Sequence, residues 1–97
     1  MPTFDLEFLP SARKEWDKLD KSVRNQFAKK IAERLVAPRI ASARLSGMAD
    51  CYKIKLRAAG YRLVYRVEDK RVTVVVIAVG RRDRNVAYKA TAKLVGD

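Results

Sequence analysis

Lys53, Lys55 and Arg57 recur at every second position, and Arg62 follows after the short interruption Ala58-Ala59-Gly60. Side chains two apart share one face of a strand. These three cations therefore lie with Cys51 on one face, opposite Tyr52, Ile54 and Leu56. In the next stretch Tyr61, Leu63, Tyr65 and Val67 face one way, and Arg62, Val64 and Arg66 the other. A two-residue turn at Ala58-Ala59 sets Lys55 opposite Arg62 and Lys53 opposite Val64, and a four-residue loop preserves the same pairs. Like charges directly opposed on a sheet cost a few tenths to ~1 kcal/mol. That cost becomes intelligible if an anion regularly sits among Lys53, Lys55 and Arg62. A solvated basic face that only keeps the protein soluble accounts for the pattern equally well.

The anion chemistry open to such a set is limited by one absence: the chain has no histidine. Cleavage of RNA by its own 2′-OH needs a base for that hydroxyl, positive charge for the pentavalent phosphorane, and an acid for the leaving 5′-oxygen. Lysine is a poor base at its reference pKa near ~10.4, but neighbouring cations disfavour its protonated form. Lys53 and Lys55, beside Arg62, are candidates for that role. Arginine adds planar, bidentate contact to phosphate oxygens. Without histidine, Cys51 makes a poor thiol nucleophile. Asp50, Glu68, Asp69 and Asp83 are scattered, mostly in turns, and read as solvated loop residues rather than a metal cluster. No Cys/His grouping suggests zinc, so neither metal nor cofactor is expected. Tyr52, Tyr61 and Tyr65 read as core. Tyr88 lies in a charged segment and could stack on a base or bind a phosphate; a packed helix residue is an equal reading.

The balance of charge agrees with an anionic partner. Among 97 residues, 22 are Lys or Arg and 11 are Asp or Glu, a net of +11. Such an excess repels itself unless a polyanion or acidic partner offsets it. Residues 39–97 carry fourteen basic and five acidic residues, a net of +9, so the excess belongs to the second part of the chain. The longest apolar run, residues 72–79, falls far short of the ~20 residues of a membrane span. The alternating, acidic start is no signal peptide. The single cysteine fits a reducing cytosol. A cytoplasmic protein without membrane contact is expected.

The elements that must hold this face follow from periodicity. Thr3 to Phe8 alternates as a first strand, with Phe4, Leu6 and Phe8 on one face. Pro10-Ser11 ends it and offers an N-cap, and Ala12, Trp16 and Leu19 then fall at helical spacing. Asp20 is a second N-cap; Val23, Phe27, Ile31 and Leu35 give an amphipathic helix that Pro38 ends near Ala37. The two helices should form a hairpin over one sheet face. Residues 39–50 read as a connection. Strands are expected over 51–57, 61–67 and 72–79 as an antiparallel meander, with Val75 and Ile77 as an apolar floor beside Arg62. Arg81, Arg82 and Arg84 leave the last strand near the same patch, and Asn85 could cap a short C-terminal helix containing Tyr88. The whole chain, 1–97, is expected to be one α+β domain.

Several of these runs together resemble the RelE family of toxins, within the wider RelE/ParE group. They are Pro38-Arg39-Ile40, residues 51–57, Gly60 to Tyr65, Val79 to Arg84 with Tyr88, and Lys14-Glu15-Trp16 in the first helix. The resemblance implies a microbial-RNase-like fold and a ribosome-dependent mRNA interferase acting in the A site of the 70S ribosome. It implies neutralisation by a RelB-type antitoxin wrapped around the toxin, and the +11 charge adds the expectation that an acidic segment of it covers the basic face. It also implies roles: Lys53 and Lys55 match the family's lysines, with Lys55 favoured as general base. Arg62 matches the transition-state arginine, Arg82 the general acid, and Tyr88 the tyrosine that orients the nucleotide. Arg44, Arg57, Arg81 and Arg84 are expected to grip RNA or ribosome. Ser46 stands where the family carries a further active-site arginine, and Arg44 is near enough to compensate. The rival readings are a ParE-type gyrase inhibitor, which shares the fold but lacks this basic set, and a non-catalytic basic RNA-binding module.

Overall fold

A computed structural model describes residues 3–81. Its elements are β1 (Asp5–Phe8), α1 (Pro10–Asp17), α2 (Lys21–Val36), a 3-10 turn at Ala41–Ala43, β2 (Cys51–Leu56), β3 (Tyr61–Glu68) and β4 (Thr73–Arg81). The C-terminal helix expected around Tyr88 lies outside the described residues.

The sheet order is β1-β4-β3-β2. The expected antiparallel meander forms from β2, β3 and β4, and β1 adds to it in parallel beside β4. The α1–α2 hairpin intervenes between β1 and the meander, as a parallel pairing requires a crossover. It covers one sheet face. Phe27, Ile31, Val23 and Ala12 from the helices close there on Ile54, Leu63, Tyr65, Val74 and Val76. Trp16 packs at 5.2 Å from the Phe8 ring and 6.1 Å from the Phe27 ring, fastening the hairpin to β1.

Two local expectations change. The cap of α1 is Leu9, with Pro10 as the first helical residue and no side chain capping the end. Proline's fixed φ and missing N–H suit that first position, so Ser11 falls inside the first turn rather than before it. Leu6 does not join Phe4 and Phe8 in the core; it is 39% exposed. Among the described residues β1 is an edge strand of the sheet, with a neighbour on one side only. Asp20 does stand at the N-cap of α2, without a side-chain cap bond, and α2 gives way at Ala37 before Pro38.

The other sheet face carries a smaller cluster of Leu45, Cys51, Val64, Val75, Ile77 and Ala78, with Met48 against it. Leu45 and Met48 come from the 39–50 connection, which folds over the Cys51 end of this face. Arg39 holds that connection in place. Its guanidinium donates to both oxygens of Asp69, at 2.8 and 3.0 Å, and to Asp50 at 3.2 Å. Asp50 itself stands at φ 57°, a left-handed conformation that aspartate tolerates.

Candidate active site

The register of the meander decides where each cation stands. β2 and β3 pair Lys55 with Arg62, Lys53 with Val64 and Cys51 with Arg66. The loop is Arg57 to Gly60, four residues. Gly60, at φ 74°, donates its N–H to the Leu56 carbonyl at 2.8 Å and closes it. Lys53, Lys55 and Arg62 are half-buried, and Arg57 is exposed in the loop.

Across β3 the rows continue into β4. Arg62 faces Gly80, Val64 faces Ala78, and Arg66 faces Val75. The face thus has a cationic end, the row Lys55-Arg62-Gly80. Its middle is apolar, and its far end is roofed by Leu45 and Met48. Val75 and Ile77 do form an apolar floor, but under Val64 rather than immediately beside Arg62. The 44–49 segment at the far end lines a cavity of about 440 Å³ that includes Arg44 and Ser46. Arg44 itself is exposed and bridges to Tyr52.

A β-bulge separates Arg81 from this face. Tyr65 pairs with Val76 and Val64 with Ala78, so Ile77 is an extra residue in β4. An extra residue reverses the alternation beyond it. Val79 therefore joins the helix-side core, and Arg81 comes opposite Tyr61 with its guanidinium carbon 5.5 Å from the ring centroid. The expectation that Arg81 leaves beside the basic patch is corrected: it lines a cavity of about 290 Å³ on the helix side, with Glu15, Lys18 and Leu19. Period-two reading of the sequence carries no mark of this slip. Arg82, Arg84 and Tyr88 lie outside the described residues.

Of the carboxylates expected to be solvated loop residues, Asp50 and Asp69 are exposed and also paired, Glu68 ends β3 and is half-buried, and Asp83 lies outside the described residues. Asp50 and Asp69 belong to the Arg39 clasp. Glu68 accepts from Arg66 at 2.7 Å and from Arg71 at 3.0 Å, and Arg71 also pairs with Glu7 of β1. The guanidinium of Arg66, followed by Arg71, holds the Glu68 carboxyl below the usual carboxylate range. Among the described residues no three His, Cys, Asp or Glu side chains group to hold a metal ion. Cys51 is wholly buried, and burial pushes its thiol pKa up against the smaller opposing effect of Arg66. A thiol so placed is inert. Tyr52 and Tyr65 are core residues, stacked at 5.7 Å and 5% and 1% exposed.

One contact was illegible in the sequence. Arg34, on the last turn of α2, donates to the Tyr65 hydroxyl at 2.8 Å and to the Lys53 carbonyl at 3.3 Å. It ties the helical hairpin to the outer edge of the strand that carries both lysines.

Residues 6–86 match the family described as ParE toxin of type II toxin–antitoxin system, parDE. The mRNA interferase toxin RelE of Escherichia coli K12 is 52% identical over 90 residues, covering 93% of this chain and 95% of that protein. A solved structure of free E. coli RelE carrying two arginine-to-alanine changes superposes with a TM-score of 0.89 at 48% identity, covering 96% of this chain and 98% of that one. The intact E. coli RelBE toxin–antitoxin complex matches with a TM-score of 0.79 at 55% identity, covering 80% of this chain and 95% of that one. The archaeal RelE–RelB complex of Pyrococcus horikoshii, at 20% identity and a TM-score of 0.63, shares the fold.

Proposed function

Since this chain belongs to the RelE/ParE family of type II toxin–antitoxin toxins, we propose that it is a RelE-type mRNA interferase. It cleaves mRNA in the ribosomal A site, inhibits translation, and is neutralised by a RelB-type antitoxin. Work on translating ribosomes places it in the cytoplasm; no helix among the described residues is long and apolar enough to cross a membrane. The observation that supports the reading best is the row Lys55-Arg62-Gly80, with Lys53 one row behind. It gathers the cations that a phosphate would need on the face opposite the helical hairpin.

In this mechanism the 2′-OH attacks the adjacent phosphorus. The O2′–P bond forms and the P–O5′ bond breaks, leaving a 2′,3′-cyclic phosphate and a free 5′-hydroxyl. Lys55 takes the 2′-OH proton, with Lys53 as the second cation of the strand. Arg62 holds the charge of the phosphorane through its planar fork. Arg82 gives a proton to the leaving 5′-oxygen, an alkoxide basic enough to draw one from a guanidinium. Tyr88 orients the nucleotide. Arg44, Arg57 and Arg84 hold RNA backbone, and Arg81, turned to the helix side, meets the ribosome rather than the scissile phosphate. Proton transfer by weak groups leans on exact placement of the substrate, which the ribosome supplies.

Primer extension on ribosome-bound mRNA tests the reading. Wild-type protein is expected to cut within the A-site codon, and Arg82→Ala to abolish cutting while antitoxin binding stays near wild type. The family description names ParE, and a ParE-type protein would behave otherwise: growth stops, ribosome-bound mRNA stays whole, and gyrase supercoiling fails. That outcome overturns the interferase reading. Ribosome binding with no cleavage and no growth defect overturns it in favour of a plain binding module.

A further inference from the structure

We propose that Arg34 is a positioning residue for the cleavage reaction, acting through the backbone of Lys53; this rests on the interferase reading above. Among the described residues β2 is the outer strand of the sheet, with β3 on one side and only the isolated Arg44–Tyr52 bridge on the other. In an antiparallel pair, alternate residues turn their N–H and C=O groups away from the partner strand. On β2 these are Cys51, Lys53 and Lys55: the Cys51 carbonyl already accepts from the Leu45 N–H at 2.9 Å, on the outer side. Both lysines thus belong to the residues whose peptide planes turn away from β3, where a single bridge replaces a neighbouring strand.

Arg34 supplies the missing partner at one of them. Its guanidinium donates to the Lys53 carbonyl at 3.3 Å and to the Tyr65 hydroxyl at 2.8 Å. Tyr65 hands the connection on, donating to the Pro38 carbonyl at 2.7 Å, and its ring is 1% exposed and stacked on Tyr52. The guanidinium carbon also stands 5.8 Å from the Tyr65 ring centroid. Arg34 is half-buried and, among the described residues, meets no carboxylate within 4.0 Å. Its charge is thus spent on neutral oxygens, one of them on the lysine strand. A charged donor makes roughly twice as strong a bond as a neutral one.

The strand needs such a tether. Lys55 faces Arg62 directly, and Lys53 is two residues along on the same face, so the spacing of these cations depends on how β2 is held at its outer edge. Outward bowing there would move both lysine side chains relative to Arg62. Misplacement of about 1 Å can cost on the order of 100-fold in rate. The Arg34 tether opposes that bowing from the helix side, where it does not obstruct RNA.

The test is single-turnover cleavage of ribosome-bound mRNA by Arg34→Met and Arg34→Lys, with Tyr65→Phe as the comparison that removes the phenol link and keeps the carbonyl bond. Arg34→Met is expected to lower the rate constant at saturating protein about tenfold, with half-saturation unchanged within twofold. Arg34→Lys, which retains a charged donor, should recover at least a third of the wild-type rate, and Tyr65→Phe should stay within threefold of it. In parallel, the Lys53 carbonyl carbon resonance of each free protein is measured by NMR; it should move in Arg34→Met and stay near wild type in Arg34→Lys. Equal losses in Arg34→Met and Tyr65→Phe, or a wild-type rate and an unmoved resonance in Arg34→Met, overturn the proposal. Wild-type protein that leaves the mRNA whole overturns the interferase reading, and with it the positioning role, while a shifted resonance would still identify the tether itself.

Discussion

Val72 holds a conformation that its side chain opposes, and replacing it makes a quantitative test of the β3–β4 turn. Its φ is 49°, in the left-handed region where an L-residue loses roughly 1–2 kcal/mol. A β-branched side chain sits at the upper end of that cost. The backbone gains that hold it there do not need a valine. The Val72 N–H donates to the Asp69 carbonyl at 3.1 Å, and its carbonyl accepts from the Asp5 N–H at 2.8 Å, which starts β1. The residue is 42% exposed, so removing its apolar surface forfeits a little over half of the ~1.5 kcal/mol at the lower end for burying a valine, or about 0.9 kcal/mol. Asparagine tolerates the left-handed region, so Val72→Asn should relieve about 1.5 kcal/mol of strain and gain about 0.5–1 kcal/mol net. Glycine relieves the same strain but carries a further ~0.5–1 kcal/mol of unfolded-state entropy, so Val72→Gly should come out near zero. Val72→Ala keeps much of the strain and loses the surface, and should be the least stable. Urea midpoints at constant slope give the order, and for a domain this size the asparagine gain corresponds to a Tm rise of about 4 °C. The turn lies at the far end of β3 from Arg62, so ribosome-dependent cleavage should be unchanged. An alanine variant as stable as the asparagine variant would refute the strain argument.

Three further outcomes follow from the charges and the buried thiol. Glu68 has its pKa lowered by Arg66 and Arg71 from an ordinary 4.5, so its contribution to stability is complete above that value and is lost as pH falls through the lowered one. Urea midpoints measured downward from pH 5 should therefore drop more steeply for wild type than for Glu68→Gln, and parallel profiles would remove Glu68 from the account. Cys51 is wholly buried with its pKa raised, so alkylation by iodoacetamide at pH 8 should be slow in native protein and rise with urea along the unfolding curve; rapid native labelling would contradict the placement of this strand. Binding of the antitoxin to the +11 chain should weaken steadily as salt rises, and a salt-independent affinity would show that its acidic segment does not cover the basic face.

Much of the site was legible because its geometry is local. Strand alternation and a short loop are enough to set Lys55 against Arg62 and Lys53 against Val64, and the observed register has those pairs. The helices were legible for the same reason: Val23, Phe27 and Ile31 recur at the helical period and are the buried residues of α2. The resemblance to RelE toxins added what alternation cannot, namely RNA, the ribosome and individual roles. The partners of the carboxylates were not legible, because an acidic residue in a turn looks the same in sequence whether its exposed side chain is paired or not. Only the approach of Arg39 to Asp50 and Asp69, and of Arg71 to Glu7 and Glu68, distinguishes the two.

By itself the sequence determined the absence of histidine, the concentration of positive charge beyond residue 38, and the sharing of one strand face by Lys53, Lys55 and Arg57, since composition and two-residue periodicity need no distant partner. The tertiary structure alone decided three things. Ile77 bulges out of β4 and sends Arg81 to the helix side; β1 pairs in parallel with β4 and leaves Leu6 half-covered; and Arg34 reaches across nineteen positions to the Lys53 carbonyl. Each depends on which surfaces meet after the chain has folded back on itself, and packing between distant segments leaves no period in the sequence to read.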